Sequence, residues 1–379
     1  MAMLPSQEQR MLGETAKSFL HARSPISALR RLRDERSALG YDPQLWRDMV
    51  DLGWSAMVFP EAAGGLDFGF KGLGTVFGQC GRTLAATPLL STVVLSGGLL
   101  MQCASAAQRA RLLPQVMAGD TLMALALDEG SRHDPRRVMA QASRVDSGWR
   151  LQGDKCFVLD GHVAQQLIVV ARSGGVAGDE DGLSLFLVEA GAPGVSVQRT
   201  HMVDSRNAAN IHLDGVVVSD SALLGVAGGG LQPLDRVLDR ARVCLAAELL
   251  GLMQEAFDRT LVYLKQRVQF DVPIGSFQAL QHRAARLFVE LEMLTSCVAA
   301  ALAAIDADDP QLPLLASLAK ARASDLSERL LGEAVQLHGG IGVTDALDLG
   351  LLLKRGRVLQ QSLGDGVFHR DRYARLKRF

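Results

Sequence analysis

The spacing of apolar positions changes character along the chain. Leu32, Leu39, Leu45, Met49 and Leu52 recur at roughly helical spacing, with Trp46 and Trp54 among them. Asp42-Pro43 is a start signal for the helix that carries Trp46. Gly64-Gly65 and Thr87-Pro88 interrupt as loops. Ala104 to Met117 sets Arg109 and Arg111 among Leu112, Leu113 and Val116, an amphipathic pattern. Residues 1–120 therefore predict an N-terminal helical domain.

From 121 to 226 the apolar runs shorten. Leu167–Ala171 and Leu183–Val188 predict strands bounded by Gly, Asp and Ser clusters. Trp149 to Lys155 reads as a strand entering a turn. Gly194–Val197, Ile211–Leu213 and Gly215–Val218 give further strands. Strands at this spacing predict a small antiparallel barrel or sandwich. From 227 to 379 helical periodicity returns, first over Leu234–Leu264, then over 279–303 and 315–338. Asp306 to Pro310 closes one of these helices and Leu312-Pro313 opens the next. The class is α+β: a helical domain, a β domain and a helical bundle.

Composition narrows the function. The 379 residues suffice for two or three domains, and a net charge of -1 gives no support to nucleic-acid binding. The five cysteines, Cys80, Cys103, Cys156, Cys244 and Cys297, have no C-x-x-C pair, so they read as reduced thiols, with no metal site expected. Gln7-Glu8-Gln9-Arg10 does not open a signal peptide, and no stretch of about 20 residues stays apolar, so no membrane span is expected. The expected location is the cytoplasm.

Two segments carry candidate chemistry. Arg267-Val268-Gln269-Phe270 leads through Pro273 and Gly275 to Phe277-Gln278, ending one long helix and opening another. A guanidinium offers a planar fork of donors to a pyrophosphate, Phe270 can pack on a ring, and Gln278 can bond a ribose or adenine edge. Gln336-Leu337-His338-Gly339-Gly340-Ile341-Gly342 ends an apolar helix in glycines that permit positive φ and close backbone approach. Taken singly, the first reads more simply as a helix–turn–helix with a solvated Arg, and the second as a helix C-cap with a structural His338. It is not a Rossmann fingerprint, because no strand precedes it.

Together the segments resemble the C-terminal signature of the acyl-CoA dehydrogenase family, "R-x-Q-F-G-x-P-I-x-x-F-Q" followed by "Q-x-x-G-G-x-G". The resemblance extends along the chain through Leu52-Gly53-Trp54, Pro60-Glu61 with Gly64-Gly65, Leu112-Leu113-Pro114 with Gly119, and Trp149, Leu151, Gly153 and Lys155. Gly364-Asp365 to His369-Arg370 is similar to the tail of pimeloyl-CoA dehydrogenase small subunits. The resemblance implies a helical domain, a β domain and a C-terminal four-helix bundle. It implies FAD, an acyl-CoA substrate in fatty acid metabolism, and electron-transfer flavoprotein or a similar acceptor. It also implies a homodimer, a tetramer, or a heterotetramer with a paralogous subunit. Arg267, Gln269, Phe270, Phe277, Gln278, Gln336, Gly339 and Gly340 would then hold FAD across a subunit interface.

The reaction so implied is α,β-desaturation, in which a carboxylate takes the α-proton while a hydride passes to the flavin. Here the chain departs from the family. Leu363 precedes Gly364 where many members have Glu, and Ala241 occupies the position that serves other members. Asp365 is the candidate base, with a loop or cap carboxylate as the plain alternative; Glu248, two turns beyond Ala241, reads as structural. Asp128-Glu129-Gly130 replaces Thr-Glu-Pro, and Phe157-Val158-Leu159 replaces Trp-Ile-Thr, removing two hydroxyls that face the flavin ring in the family. Three functions stay open: a dehydrogenase, a catalytically impaired partner within a heteromeric dehydrogenase, and a flavin-dependent monooxygenase on the same fold.

Overall fold

A computed structural model describes residues 6–379. Helices α1 (Gln7–Arg23), α2 (Ile26–Asp34), α3 (Pro43–Asp51) and α4 (Phe70–Thr83) come first. A buried π-helix, Leu89–Gly97, leads into α5 (Gly98–Cys103) and α6 (Ala106–Met117). Strands β1 (Met123–Ala126), β2 (Gln141–Val145), β3 (Gly148–Leu159), β4 (Gln166–Arg172), β5 (Leu183–Glu189), β6 (Val195–His201), β7 (Asn207–Val218) and β8 (Leu223–Leu224) follow. Helix α7 (Leu231–Gln266) is joined by the hairpin β9 (Val268–Gln269) and β10 (Val272–Pro273) to α8 (Gln278–Asp306). Helices α9 (Leu312–His338), α10 (Leu349–Gln361) and α11 (Gly366–Lys377) complete the chain.

The chain divides into two compact units. One comprises the chain up to Asp34, Phe68–Ala85 and Arg242–Phe379; the other comprises Glu35–Asp67 and Ala86–Ala241. In the first unit, α4 crosses α7 through glycines: a Cβ on Gly81 would lie 2.0 Å from Glu248 O, and one on Gly251 would lie 1.8 Å from Gly78 O. Only hydrogen fits there, so the backbones touch. Helices α8, α9, α10 and α11 bury Leu291, Leu294, Leu330, Leu352 and Leu359, among others.

The second unit centres on one eight-stranded sheet of order β6-β7-β3-β2-β4-β5-β8, with β1 on β4. It is antiparallel except for β1–β4 and β2–β4, which the strand pattern alone does not reveal. Strand β3 does not turn at Lys155. It runs on to Leu159 over register shifts at Leu151/Gly153 and Lys155/Val158, and the two apolar runs around Gly215 form the single strand β7. The buried Lys155 ammonium makes the continuation possible, donating to Leu127 O at 3.1 Å and pairing with Glu129 at 2.5 Å. Such pairing is what lets a cation remain in a core.

Local signals behave as expected at the helix ends. Asp42 accepts from Gln44 N–H at the start of α3, and Ser6 and Ser105 form capping boxes on α1 and α6. Asp306 closes α8 and accepts from the Phe70 and Lys71 N–H groups at the start of α4. One expectation is corrected. Leu39 and Leu52 are exposed, because α2 and α3 are separate helices with no shared apolar face. Helix α8 is long and apolar enough to cross a membrane by length and composition alone. Its alanines account for that: they let α8 pack closely on α4 and α9 while burying Leu287, Leu291, Leu294 and Val298.

Candidate functional site

The sequence motif at 267–278 is an exposed two-residue hairpin. The chain reverses at Phe270-Asp271, not at Pro273 and Gly275. Both residues take positive φ, 53° and 62°. Such turns favour Asn-Gly because a side chain crowds the carbonyl there, at about 1–2 kcal/mol per residue. Here the tip presents Phe270 with 87% of its surface exposed, edge-on to Phe277 at 6.2 Å. Arg267 is exposed and has no side-chain partner among the described residues. Gln278 is exposed at the start of α8, and Gln269 bonds its own Val268 O at 2.8 Å.

The glycine motif ends α9. Gly339 leaves the helix with φ 63°, and a 3-10 turn, Gly339–Val343, follows. Gln336, Gly339 and Gly340 are exposed, and a Cβ on either glycine would meet nothing within 4 Å. Packing therefore does not require glycine at 339 or 340, whereas Gly342 is required, since its Cβ would lie 2.6 Å from Val335 O. The structure joins the two motifs through a residue the sequence reading passed over. Tyr263, one turn before Arg267, donates its hydroxyl to His338 O at 3.2 Å and stacks on the His338 ring at 4.3 Å. His338 is buried, its Nδ1 2.8 Å from Ala334 O, and burial pushes its pKa below the ordinary value.

These features fit FAD. A free guanidinium, an exposed aromatic ring and an open glycine backbone lie at one end of one bundle, matching a pyrophosphate with a flat ring system.

The turn at 360–365 is built the opposite way. Leu363 is buried at φ 55°. Asp365 is the N-cap of α11, its carboxylate accepting from Phe368 N–H at 2.8 Å. Three fully buried side chains hold the turn. Arg242 Nε donates to Leu363 O at 3.2 Å, and its guanidinium lies 5.5 Å over the Phe368 ring. Lys320 Nζ donates to Gln360 O at 3.0 Å and Gly364 O at 2.8 Å, with Ser324 Oγ at 3.4 Å. His369 Nε2 lies 3.1 Å from Leu363 O. Burial, with Arg242 adding to it, drives Lys320 down to about 7 and His369 well below the ordinary imidazole range. Glu248 is buried and receives two bonds from Arg355, at 2.9 and 2.7 Å, so it is committed to an ion pair. Ala241 is buried and carries no titratable group.

In the second unit, Asp128 is paired with His133 Nδ1 at 2.9 Å, and Glu129 accepts from the Met139 and Ala140 N–H groups besides Lys155. Phe157 is half-exposed at φ 51°. Among the described residues, no group of three or more His, Cys, Asp or Glu is placed to hold a metal ion.

Comparison with known proteins bears on this arrangement. Profiles for the N-terminal, middle and C-terminal domains of acyl-CoA dehydrogenase match residues 6–120, 125–216 and 228–376. The acyl-CoA dehydrogenase IpdE2 of Mycobacterium tuberculosis is 30% identical over 362 residues, covering 95% of this chain and 94% of its own. Among solved structures, a variant of the Tcur3481-Tcur3483 steroid ACAD superposes with TM-score 0.87 at 32% identity, covering 98% of both chains. The ChsE4-ChsE5 complex from Mycobacterium tuberculosis gives TM-score 0.89 at 26% identity, covering 100% of this chain and 99% of that one.

Proposed function

The chain belongs to the acyl-CoA dehydrogenase family of FAD-dependent oxidoreductases, and from that premise we propose that it is the subunit of a heteromeric dehydrogenase that clamps the cofactor and leaves α-proton abstraction to a paralogous partner. One observation carries this reading: the two positions where family members place the base are buried and apolar, Ala241 and Leu363. Asp365, the remaining candidate base, is engaged as the cap of α11. Two similar solved structures bear paired names, Tcur3481-Tcur3483 and ChsE4-ChsE5, which supports a two-chain assembly.

FAD, when bound, supplies the hydride acceptor for α,β-desaturation of an acyl-CoA. Toward it, Arg267 offers paired donors for the pyrophosphate, Phe270 and Phe277 an aromatic edge, and Gln278 and Gln336 polar groups. Gly339 and Gly340 give backbone access. Gln269, bonded to its own backbone, holds the hairpin strand. Reducing equivalents then pass to electron-transfer flavoprotein or a similar acceptor. The steroid ACAD among its neighbours supports a substrate other than a simple short fatty acyl group.

The test is anaerobic titration of the purified chain with acyl-CoAs, including straight-chain, dicarboxylic and steroid-bearing thioesters, while the flavin spectrum is recorded. The expected result is no bleaching by the chain alone, and bleaching once a paralogous subunit is co-expressed. Bleaching by the chain alone that is lost in Asp365→Asn restores Asp365 as the base and ends this reading. Flavin oxidation coupled to oxygen incorporation into product instead indicates a monooxygenase.

A further inference from the structure

The segment after α9 is an exposed glycine turn, and such turns sample many conformations unless held. One helix holds this segment at both ends. Glu255, Arg259 and Tyr263 recur at four-residue spacing on α7 and form one row along its surface, and Arg267 follows one residue past the helix end, its N–H bonded to Tyr263 O at 2.8 Å. Tyr263 bonds His338 O at 3.2 Å, immediately before Gly339. Arg259 Nη1 donates to Asp348 Oδ2 at 2.8 Å, just before α10 begins, and its Nε pairs with Glu255 at 2.8 Å. The row continues into Arg267, the unpaired cation of the clamp.

A second grip comes from α2. Arg30 donates to Asp348 Oδ1 at 3.0 Å, to Asp345 Oδ2 at 2.8 Å and to Leu347 O at 3.2 Å. Arg33 takes Asp345 with two donors, at 2.9 and 3.0 Å. The Arg33 hydrogen bonds hold the Asp345 carboxyl down at about 2, so it is ionised throughout the physiological range. Isolated surface pairs contribute little, but these share partners and restrain one loop, the circumstance in which a network matters.

We infer that Arg30, Arg33, Arg259 and Tyr263 are positioning residues for the flavin clamp, fixing the 339–347 loop so that its glycines and Arg267 meet the cofactor pre-formed. The inference rests on the assignment of Arg267 and Gly339–Gly340 to FAD. A loop ordered in advance loses less conformational entropy on binding, and that difference appears as affinity. Because the pairs are partly exposed, the benefit is screened by salt.

Hydrogen exchange of the amides at 339–348, read on the chain as purified, tests the first half. Arg33→Gln and Asp345→Asn should each speed exchange there about tenfold while leaving α11 unchanged. The double variant should be no faster than Asp345→Asn alone, since that substitution already removes the Arg33 pair along with the Arg30 bond. FAD affinity, followed by flavin fluorescence on whichever assembly holds the cofactor, should fall about tenfold in step. Raising salt to about 0.5 M should weaken binding more in the wild type than in the variants, since screening of Arg267 is common to both and only the wild type also loses the Arg33–Asp345 restraint. Unchanged exchange overturns the inference, as does faster exchange with FAD affinity intact. Arg267→Glu separates the two layers. If it leaves FAD affinity unchanged, the clamp assignment itself fails; if it weakens FAD while Arg33→Gln does not, only the positioning role fails.

Discussion

The proposed flavin clamp and the 360–365 turn belong to the same unit of the chain, and their polar groups are treated in opposite ways. At the clamp, a guanidinium stands unpaired, a phenylalanine is displayed on a strained hairpin tip, and glycines leave the backbone open. At the turn, the carbonyls of Gln360, Leu363 and Gly364 receive buried donors, and the one carboxylate caps a helix. At the clamp, strain and an exposed unpaired donor stand where the proposed cofactor would repay them; at the turn, buried donors are committed to the chain's own carbonyls. On the proposed reading, cofactor binding and proton abstraction are separable in this fold.

Reversing the charge at the clamp should give the largest effect. Arg267→Glu replaces a charge-assisted donor pair with a repulsive carboxylate, so FAD affinity should fall on the order of 100-fold, about 3 kcal/mol, with the melting temperature of the cofactor-free chain unchanged. A drop in that melting temperature would mean the arginine is structural after all.

Breaking the buried hydrogen bonds of the turn should come next. Lys320→Met leaves Gln360 O and Gly364 O without their donor, at a cost of about 2 kcal/mol by urea denaturation. The same lysine gives a pH signature. Its folded pKa, about 7, lies below the ordinary value near 10.4, so between the two the unfolded chain binds the extra proton. Stability should therefore rise as pH climbs from about 7 toward about 10, and that rise should vanish in Lys320→Met. A slope that survives the substitution assigns it to another group.

Smaller effects sharpen the contrast. Asp271→Gly relieves a side chain held at positive φ and should stabilise the chain by about 1 kcal/mol without loss of FAD affinity. Asp365→Asn should cost less than about 0.5 kcal/mol, because Asn caps a helix nearly as well as Asp. It should also leave flavin reduction in the assembled enzyme unchanged; loss of reduction with stability intact would make Asp365 a catalytic residue.

Much of this was legible in the residues. The helical and strand textures, the start at Asp42-Pro43, the break at Asp306–Pro310 and the paired motifs at 267–278 and 336–342 all depend on neighbours close in sequence. Tyr263 carried a weak signal, standing one helical turn before Arg267. The grip of Arg30 and Arg33 on Asp345 carried none, since more than 300 positions separate the partners. The run of β3 past Lys155 was equally hidden, because a lysine within a strand signals a turn until its partner Glu129 is seen beside it.

By itself, then, the sequence determined the family, the order of helical and β textures, and the absence of Glu at 363 and of any titratable group at 241. These follow from short-range periodicity and residue identity. Only the tertiary structure brought Arg242, Lys320 and His369 to the turn that carries Asp365. The Phe368 N–H that Asp365 caps lies only three residues on, whereas the donors to the turn's carbonyls come from α7, α9 and α11 and are assembled by the packing of the bundle.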